Sequence, residues 1–146
     1  MIKKILFIAA ISWCGWLIIY LKNKQQPVEI NWQMLGINFK KTWYQPYKTD
    51  VDMPQFTDTL KKLNGKLVSI RGFVIPMEYG SKTFALSKGP NSSCFFCGHG
   101  GVETIIIVNC KNKPADYPND AFIKMSGRLE LKESFNDFIF TLSDAY

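Results

Sequence analysis

The chain has 146 residues, of which 47% are hydrophobic and 21% charged, which excludes a wholly disordered chain, a coiled coil and a multi-span channel. The formal net charge is +6, but residues 1–24 contain four lysines and no acidic residue, so the other residues carry 14 basic and 12 acidic side chains, a net of +2. Most of the positive charge therefore flanks an apolar segment, which indicates membrane association and not nucleic-acid binding.

The first predicted element is a single membrane-spanning helix. Residues 5–21 are 17 uncharged, mostly apolar residues with lysines on both sides, and as a helix they would extend about 26 Å, close to the hydrocarbon thickness of a bilayer. A cleaved signal peptide needs small residues around the end of such a run, but Tyr20, Leu21, Lys22 and Asn23 stand there. A lipoprotein signal at Cys14 is disfavoured by the bulky Trp13 before it. The pattern favours an uncleaved anchor.

The charges around this helix predict its orientation. The amino terminus, Lys3 and Lys4 precede it, whereas Lys22 and Lys24 follow it. Because the more basic flank stays in the cytoplasm, we expect a single-pass protein of the bacterial cytoplasmic (inner) membrane with its C-terminal domain outside the cytoplasm. The expected partners are the membrane lipid around the helix and a protein of the cell envelope, and no nucleic acid.

Changes of pattern along the chain predict its domains. Residues 1–24 are the anchor, residues 25–53 a linker and edge segment, and residues 54–146 a β domain. Residues 30–39 indicate a first strand or an edge segment. Residues 42–53 are rich in aromatic residues, proline and aspartate, and this composition indicates a loop.

A short helix is predicted at the start of the β domain. Pro54 suits its first turn. Phe56, Leu60 and Leu63 recur at a spacing that places them on one face. Gly65 tolerates a positive φ and ends the helix.

From residue 66 onward the apolar residues alternate with a period of two, which indicates β-strands. Strands are predicted at residues 66–75, 83–87, 103–110, 122–131 and 138–142. Gly72 and Gly127 fall among the inward residues of the two long strands, as is typical of sharply coiled strands at a barrel corner. The apolar run at residues 105–108 indicates a strand covered on both faces. These elements favour a mainly β fold with one helix, a small OB-like partly open β-barrel behind the single N-terminal transmembrane helix; a β-sandwich is the alternative.

A cysteine loop lies between two of these strands. Residues 91–103 contain Cys94 and Cys97 in a C-x-x-C pattern, together with the only histidine of the chain, His99. Gly98 separates Cys97 from His99, so the pattern for c-type haem attachment is not met. The glycines that follow disfavour a helix after the cysteines, and a thioredoxin-like site depends on such a helix.

A metal site is one interpretation of this loop. Cys94, Cys97, His99 and Glu103 are candidate ligands of one zinc or other transition-metal ion, since thiolates and imidazole are the ligands that zinc prefers. Cys110 is not assigned to the site, because an extended strand would place it about 20 Å away. It is interpreted as a core thiol.

Three other interpretations of the cysteines remain open, of which the first is that the two thiols are unpaired. A structural disulfide between Cys94 and Cys97 would tighten the loop of an exported domain, and a redox-active pair would make the chain a thiol-disulfide oxidoreductase. The chain shows no catalytic Ser/His/Asp set, no paired carboxylates and no phosphate-binding loop. The sequence therefore favours a binding module, or an interaction domain of the cell envelope with an inert disulfide, over an enzyme.

Three stretches together resemble a known family. The stretches are L-x-G-K-x-V-x-I-x-G-F-x-I-P at residues 63–76, F-x-L-S at residues 84–87 and S-C-F-F-C-G at residues 93–98, with Glu103 following. They are similar to a bacterial family of small exported or membrane-anchored proteins that is defined only as a domain of unknown function. The resemblance implies an OB-like β domain over about residues 30–145 and a cysteine pair as its functional centre.

Overall fold

A computed structural model describes residues 26–77, 80–91, 98, 100–112 and 117–146. The predicted anchor at residues 5–21, and Cys94, Cys97 and His99, lie outside the described residues. Within the described ranges, no helix is long and apolar enough to cross a bilayer. The anchor and its orientation stay predictions.

The described part of the chain is mainly β with a single α-helix. The helix is α1 (Asp58–Leu63). The strands are β1 (Val28–Glu29), β2 (Asn38–Tyr44), β3 (Thr49–Gln55), β4 (Leu67–Pro76), β5 (Thr83–Ser87), β6 (Ile105–Cys110), β7 (Phe122–Leu131) and β8 (Phe140–Ala145). Short 3-10 helices lie at Trp32–Leu35 and Val102–Thr104. The predicted mainly β fold with one helix is therefore confirmed.

Five strands close into a barrel. β4 pairs with β5, β5 with β6, β8 with β7 and β7 with β4, all antiparallel, while β6 and β8 are parallel. β1 adds a short parallel pairing to the start of β4. This strand order is consistent with an OB-like fold. The barrel is closed, not partly open as predicted, because β4 is hydrogen-bonded on both sides.

β4 closes the barrel by changing its partner along its length. Its residues 67–73 pair with β7, and its residues 73–76 pair with β5. A Cβ atom on Gly72 would lie 2.7 Å from the carbonyl oxygen of Ser87 and 3.0 Å from the Trp32 ring. The Trp32 indole also donates to the carbonyl of Arg71 at 2.8 Å. The partner change therefore requires glycine at this position.

The alternation in β7 places one face of the strand in the core. Met125, Gly127 and Leu129 are buried, whereas Lys124 and Arg128 are exposed, as the sequence predicts. A Cβ on Gly127 would lie 3.0 Å from the carbonyl oxygen of Ser143 in β8. The inward, crowded position predicted for this glycine is confirmed.

The apolar run of β6 is covered on both faces, as predicted. Ile106 and Val108 belong to the main core inside the barrel. Ile105 packs in a second, smaller cluster with Ile75 and Ala85. A strand with two covered faces has no polar alternation, which explains its continuous apolar sequence.

The helix α1 is shorter than its sequence pattern suggests, and the assignment of Pro54 to its first turn is wrong. Pro54 is buried in β3, and Thr57 caps the helix by accepting a hydrogen bond from the Leu60 amide at 3.3 Å. Leu60 is fully buried. Gly65 has a φ of 74° and ends the helical segment, as predicted.

The segment before the helix differs most from its prediction. Residues 42–53, predicted as a loop, form most of an antiparallel hairpin of β2 and β3, in register from Asn38 opposite Gln55 to Tyr44 opposite Thr49. Residues 30–39, predicted as a first strand or an edge segment, contain the 3-10 helix at 32–35 and only the first two residues of β2. The described strands pair β2 and β3 only with each other. The domain boundary at residue 54 stays a prediction.

Candidate functional site

The cysteine loop leaves the barrel between β5 and β6, and its two roots are hydrogen-bonded. Ser87 pairs with Ile105, and the Lys88 amide donates to the carbonyl of Thr104 at 3.0 Å. The Asn91 amide donates to the Asp120 carboxylate at 2.6 Å. These bonds restrain the chain on both sides of the cysteine positions.

Glu103 lies at the C-terminal root of this loop. It belongs to the 3-10 helix at 102–104, whose last residue, Thr104, bonds back to the carbonyl of Gly101 through its amide (3.0 Å) and its hydroxyl (2.7 Å). The half-buried Glu103 carboxylate folds onto Gly101, where its oxygens occupy the space that a Cβ would need. Among the described residues, no donor pairs with this carboxylate.

Glu103 also lines an open cleft of about 420 Å³ at one end of the barrel. We name it the hairpin cleft, because β2 and β3 form one wall, the residues around Glu103 a second and the β7–β8 connection the third. Its lining side chains are both apolar and acidic: Phe39, Asp52, Val102, Glu103, Ser134, Phe135, Asp137 and Ile139, with Gly101 between them. The residues around Glu103 and the β7–β8 connection share one end of the barrel because β5 and β7 run in the same direction, antiparallel to β4, β6 and β8.

The acidic side chains of the hairpin cleft differ in their partners. Asp137 accepts hydrogen bonds from the Lys132 ammonium at 3.0 Å and from the Phe138 amide at 2.7 Å. The hydrogen bond from Lys132 contributes most to lowering the pKa of the Asp137 carboxyl below its ordinary value, and the hydrogen bond from the Phe138 amide contributes next. Asp52 is exposed on β3 opposite Lys41. Within the described ranges, no three acidic, histidine or cysteine side chains converge as a metal site.

Cys110 lies at the opposite end of β6 from Glu103. Five extended steps separate Cys110 from Ile105, about 17 Å. The thiol is free, half-buried and packed against the main core. Burial raises the pKa of this thiol, so it is protonated and weakly nucleophilic at neutral pH.

Of the four predicted ligands, one lies among the described residues. Glu103 stands at the loop root as described above, whereas Cys94, Cys97 and His99 lie outside the described residues. Sequence reasoning missed the hairpin wall and the β7–β8 wall of the cleft. The signal available was Gln45-Pro46-Tyr47-Lys48, a turn sequence with proline at its second position between two seven-residue segments.

Comparisons with protein-family models, with curated proteins and with solved structures gave no match for this chain. The resemblance to the exported bacterial family therefore stays a prediction.

Proposed function

We propose that the chain is a membrane-tethered, extracytoplasmic binding module of the bacterial cell envelope, whose cysteine loop binds one zinc or other transition-metal ion. The proposed ligands are Cys94, Cys97 and His99, with Glu103 as an oxygen ligand or as a hydrogen-bond acceptor for His99. One observation carries this proposal. The Glu103 carboxylate is turned back onto Gly101 without a donor among the described residues.

The chemistry of this set suits a soft or borderline cation. Two thiolates and one imidazole are common zinc ligands, and a carboxylate can complete the tetrahedron or orient the imidazole. A half-buried carboxylate without a donor gains free energy when a cation or a ring N–H comes near it. Metal uptake would release the thiol protons, so the affinity should rise with pH.

The barrel supports the proposal by restraining the loop. The bonds from Lys88 to Thr104 and from Asn91 to Asp120 hold its two roots. Fewer backbone torsions then remain to be ordered when a ligand binds, and the entropic cost of binding falls.

Metal analysis and thiol alkylation of the full chain test the proposal. The chain is purified anaerobically in mild detergent, its bound metals are counted, and its thiols are alkylated before and after a chelator is added. We expect one ion per chain and protection of Cys94 and Cys97 that the chelator removes. Cys110 is the internal reference, because its slow alkylation should not depend on the chelator.

Matched variants assign the ligands. Cys94→Ser should release the ion, and Glu103→Gln should weaken its retention, on the order of tenfold or more if Glu103 acts through His99. Asp52→Asn is the control, since it removes another carboxylate of the same cleft. A metal-free chain whose loop cysteines become alkylatable only after reduction would contradict the proposal and indicate a disulfide. Equal metal retention by Glu103→Gln and the wild type would remove Glu103 from the ligand set.

The tether and its orientation need a separate experiment. A reporter that is active only outside the cytoplasm is fused after Tyr146. We expect an active reporter in the membrane fraction that resists alkaline extraction. An expressed but inactive reporter would place the domain in the cytoplasm.

A further inference from the structure

The hairpin of β2 and β3 carries large aromatic side chains that are exposed and lie outside the barrel core. All seven residues of β2 are exposed. Trp43 is 58% and Tyr47 is 62% exposed, and Phe39 is 47% exposed. Soluble surfaces seldom gather such side chains in one projecting element unless something contacts them.

The end of this hairpin is ordered by its own contacts. The turn is closed by hydrogen bonds from the Tyr47 amide to Tyr44 and from the Lys48 amide to Gln45. The rings of Tyr44 and Tyr47 pack against each other and against Phe135 of the β7–β8 connection, with ring centroids 4.9 to 5.9 Å apart. We name Trp43, Tyr44 and Tyr47 the aromatic tip. Because it is already ordered, it would lose little entropy on binding.

The charges near the aromatic tip favour a lipid surface over a protein partner. Lys40, Lys41 and Lys48 are exposed among the aromatic residues, and the acidic Asp50 and Asp52 follow the tip on β3. Lysine is depleted in the centres of protein interfaces. Tryptophan, tyrosine and lysine together are typical of the bilayer interface, where the rings lie at headgroup level and the ammonium groups extend to the polar headgroups.

The hairpin starts close to where the predicted anchor would join the barrel. β1 enters beside the start of β4, with Val28 opposite Val68, and β3 leads through α1 to Leu67. Six extended residues, 22–27, would separate the anchor from β1 and can span about 20 Å. A seven-residue strand extends about 23 Å. The aromatic tip is therefore within reach of the bilayer surface.

We propose that the aromatic tip inserts into the headgroup region of the membrane that anchors the chain, and so holds the barrel in a fixed orientation on the bilayer. This inference rests on the proposed tether. The hairpin cleft and Glu103 share the barrel end that carries the tip, so insertion would turn the cysteine loop towards the membrane.

Quenching of tryptophan fluorescence by brominated phospholipids tests the insertion. The full chain is reconstituted in vesicles after Trp13→Phe and Trp16→Phe, which leaves Trp32 on the barrel and Trp43 in the tip. We expect strong quenching when the bromines lie on the upper acyl carbons. Trp43→Phe should remove most of it, because Trp32 stays with the barrel.

A matched control places a tryptophan at a comparable exposed site elsewhere on the barrel. Phe122 is 59% exposed and lies opposite Phe73 of β4. Phe73 is six residues, or about 20 Å, from Leu67 at the start of β4, where the hairpin joins the barrel through α1. In the Trp43→Phe background, the fluorescence of the tryptophan introduced by Phe122→Trp should not be quenched by the brominated lipids. Equal quenching at both positions, or an unquenched Trp43 in a vesicle-bound chain, overturns the insertion. Flotation of the vesicles reports the tether separately: a chain that does not float with them refutes the tether.

Discussion

The barrel and the hairpin are both antiparallel β-structure, yet they are stabilised in different ways. Leu129 and Phe140 are fully buried in barrel strands with two neighbours each, whereas every residue of β2 is exposed. An isolated two-stranded hairpin is marginal in water. This hairpin gains support from the buried Pro54 at its base and from the tip rings on Phe135. Burial stabilises the barrel, while a few end contacts hold the hairpin.

The largest expected effect separates the two regions directly. Leu129→Ala should destabilise the chain by about 2–5 kcal/mol, because it removes a fully buried side chain and leaves a cavity in the main core. Trp43→Ala should change the stability by less than about 0.5 kcal/mol. Denaturant melts of the full chain in mild detergent measure both. Similar losses for the two variants would break the distinction.

A second prediction concerns the partner change in β4. Gly72→Ala should cost about 1–3 kcal/mol through overpacking, since its Cβ would meet Ser87 at 2.7 Å and Leu86 at 2.8 Å. Gly127→Ala is the matched variant, with a nearest approach of 3.0 Å. The same melts should rank Gly72→Ala as the more harmful change. The reverse order would mean that the crowding at Gly72 relaxes easily.

The junction of the barrel and the hairpin depends on a helix cap. Thr57 joins the hairpin to α1, and its hydroxyl accepts a hydrogen bond from the Leu60 amide. Thr57→Ala should destabilise the chain by about 1 kcal/mol, and Thr57→Ser should restore most of the loss. If both substitutions are neutral in thermal melts, burial of Leu60 alone holds the helix.

The smallest effect is expected in the β7–β8 connection, which the aromatic tip of the hairpin contacts. Lys132 and Asp137 are 3.0 Å apart and about half exposed, so Asp137→Asn should cost less than about 0.5 kcal/mol. The folded pKa of Asp137 is lowered. The pair therefore stabilises the fold above the ordinary carboxyl pKa of about 4, and this contribution is lost as the pH falls through the folded pKa.

Melts at neutral and acidic pH in low salt should show this contribution in the wild type and not in Asp137→Asn. High salt should remove most of the difference, because the pair is exposed and screened. An acid-side loss that persists unchanged in Asp137→Asn would assign it to other carboxylates.

The barrel could be predicted from the sequence because burial leaves a periodic record. The strand predicted at residues 122–131 from its alternation has the same bounds as β7. Gly72 and Gly127 indicated the two positions where the strands are crowded. The hairpin left no such record. Its strands bury neither face fully, so their composition resembles that of a loop.

The candidate site was only partly predictable for a related reason. Glu103 could be selected by its spacing from the cysteines, since the ligand motif is local in sequence. The other walls of the hairpin cleft come from Phe39 and Asp52 of the hairpin and from residues 134–139, which are distant from Glu103 in the sequence. A contact over such a sequence separation leaves no local pattern to detect.

The position of β8 has a consequence for biogenesis. β8 lies between β6 and β7. Each of these two strands therefore lacks one of its two neighbours until residues 140–145 have left the ribosome. A chain that stops earlier exposes two unpaired strand edges, which are templates for aggregation. Truncated products of this protein should therefore be removed by proteases or accumulate as aggregates, and the barrel should close only after synthesis of its last strand.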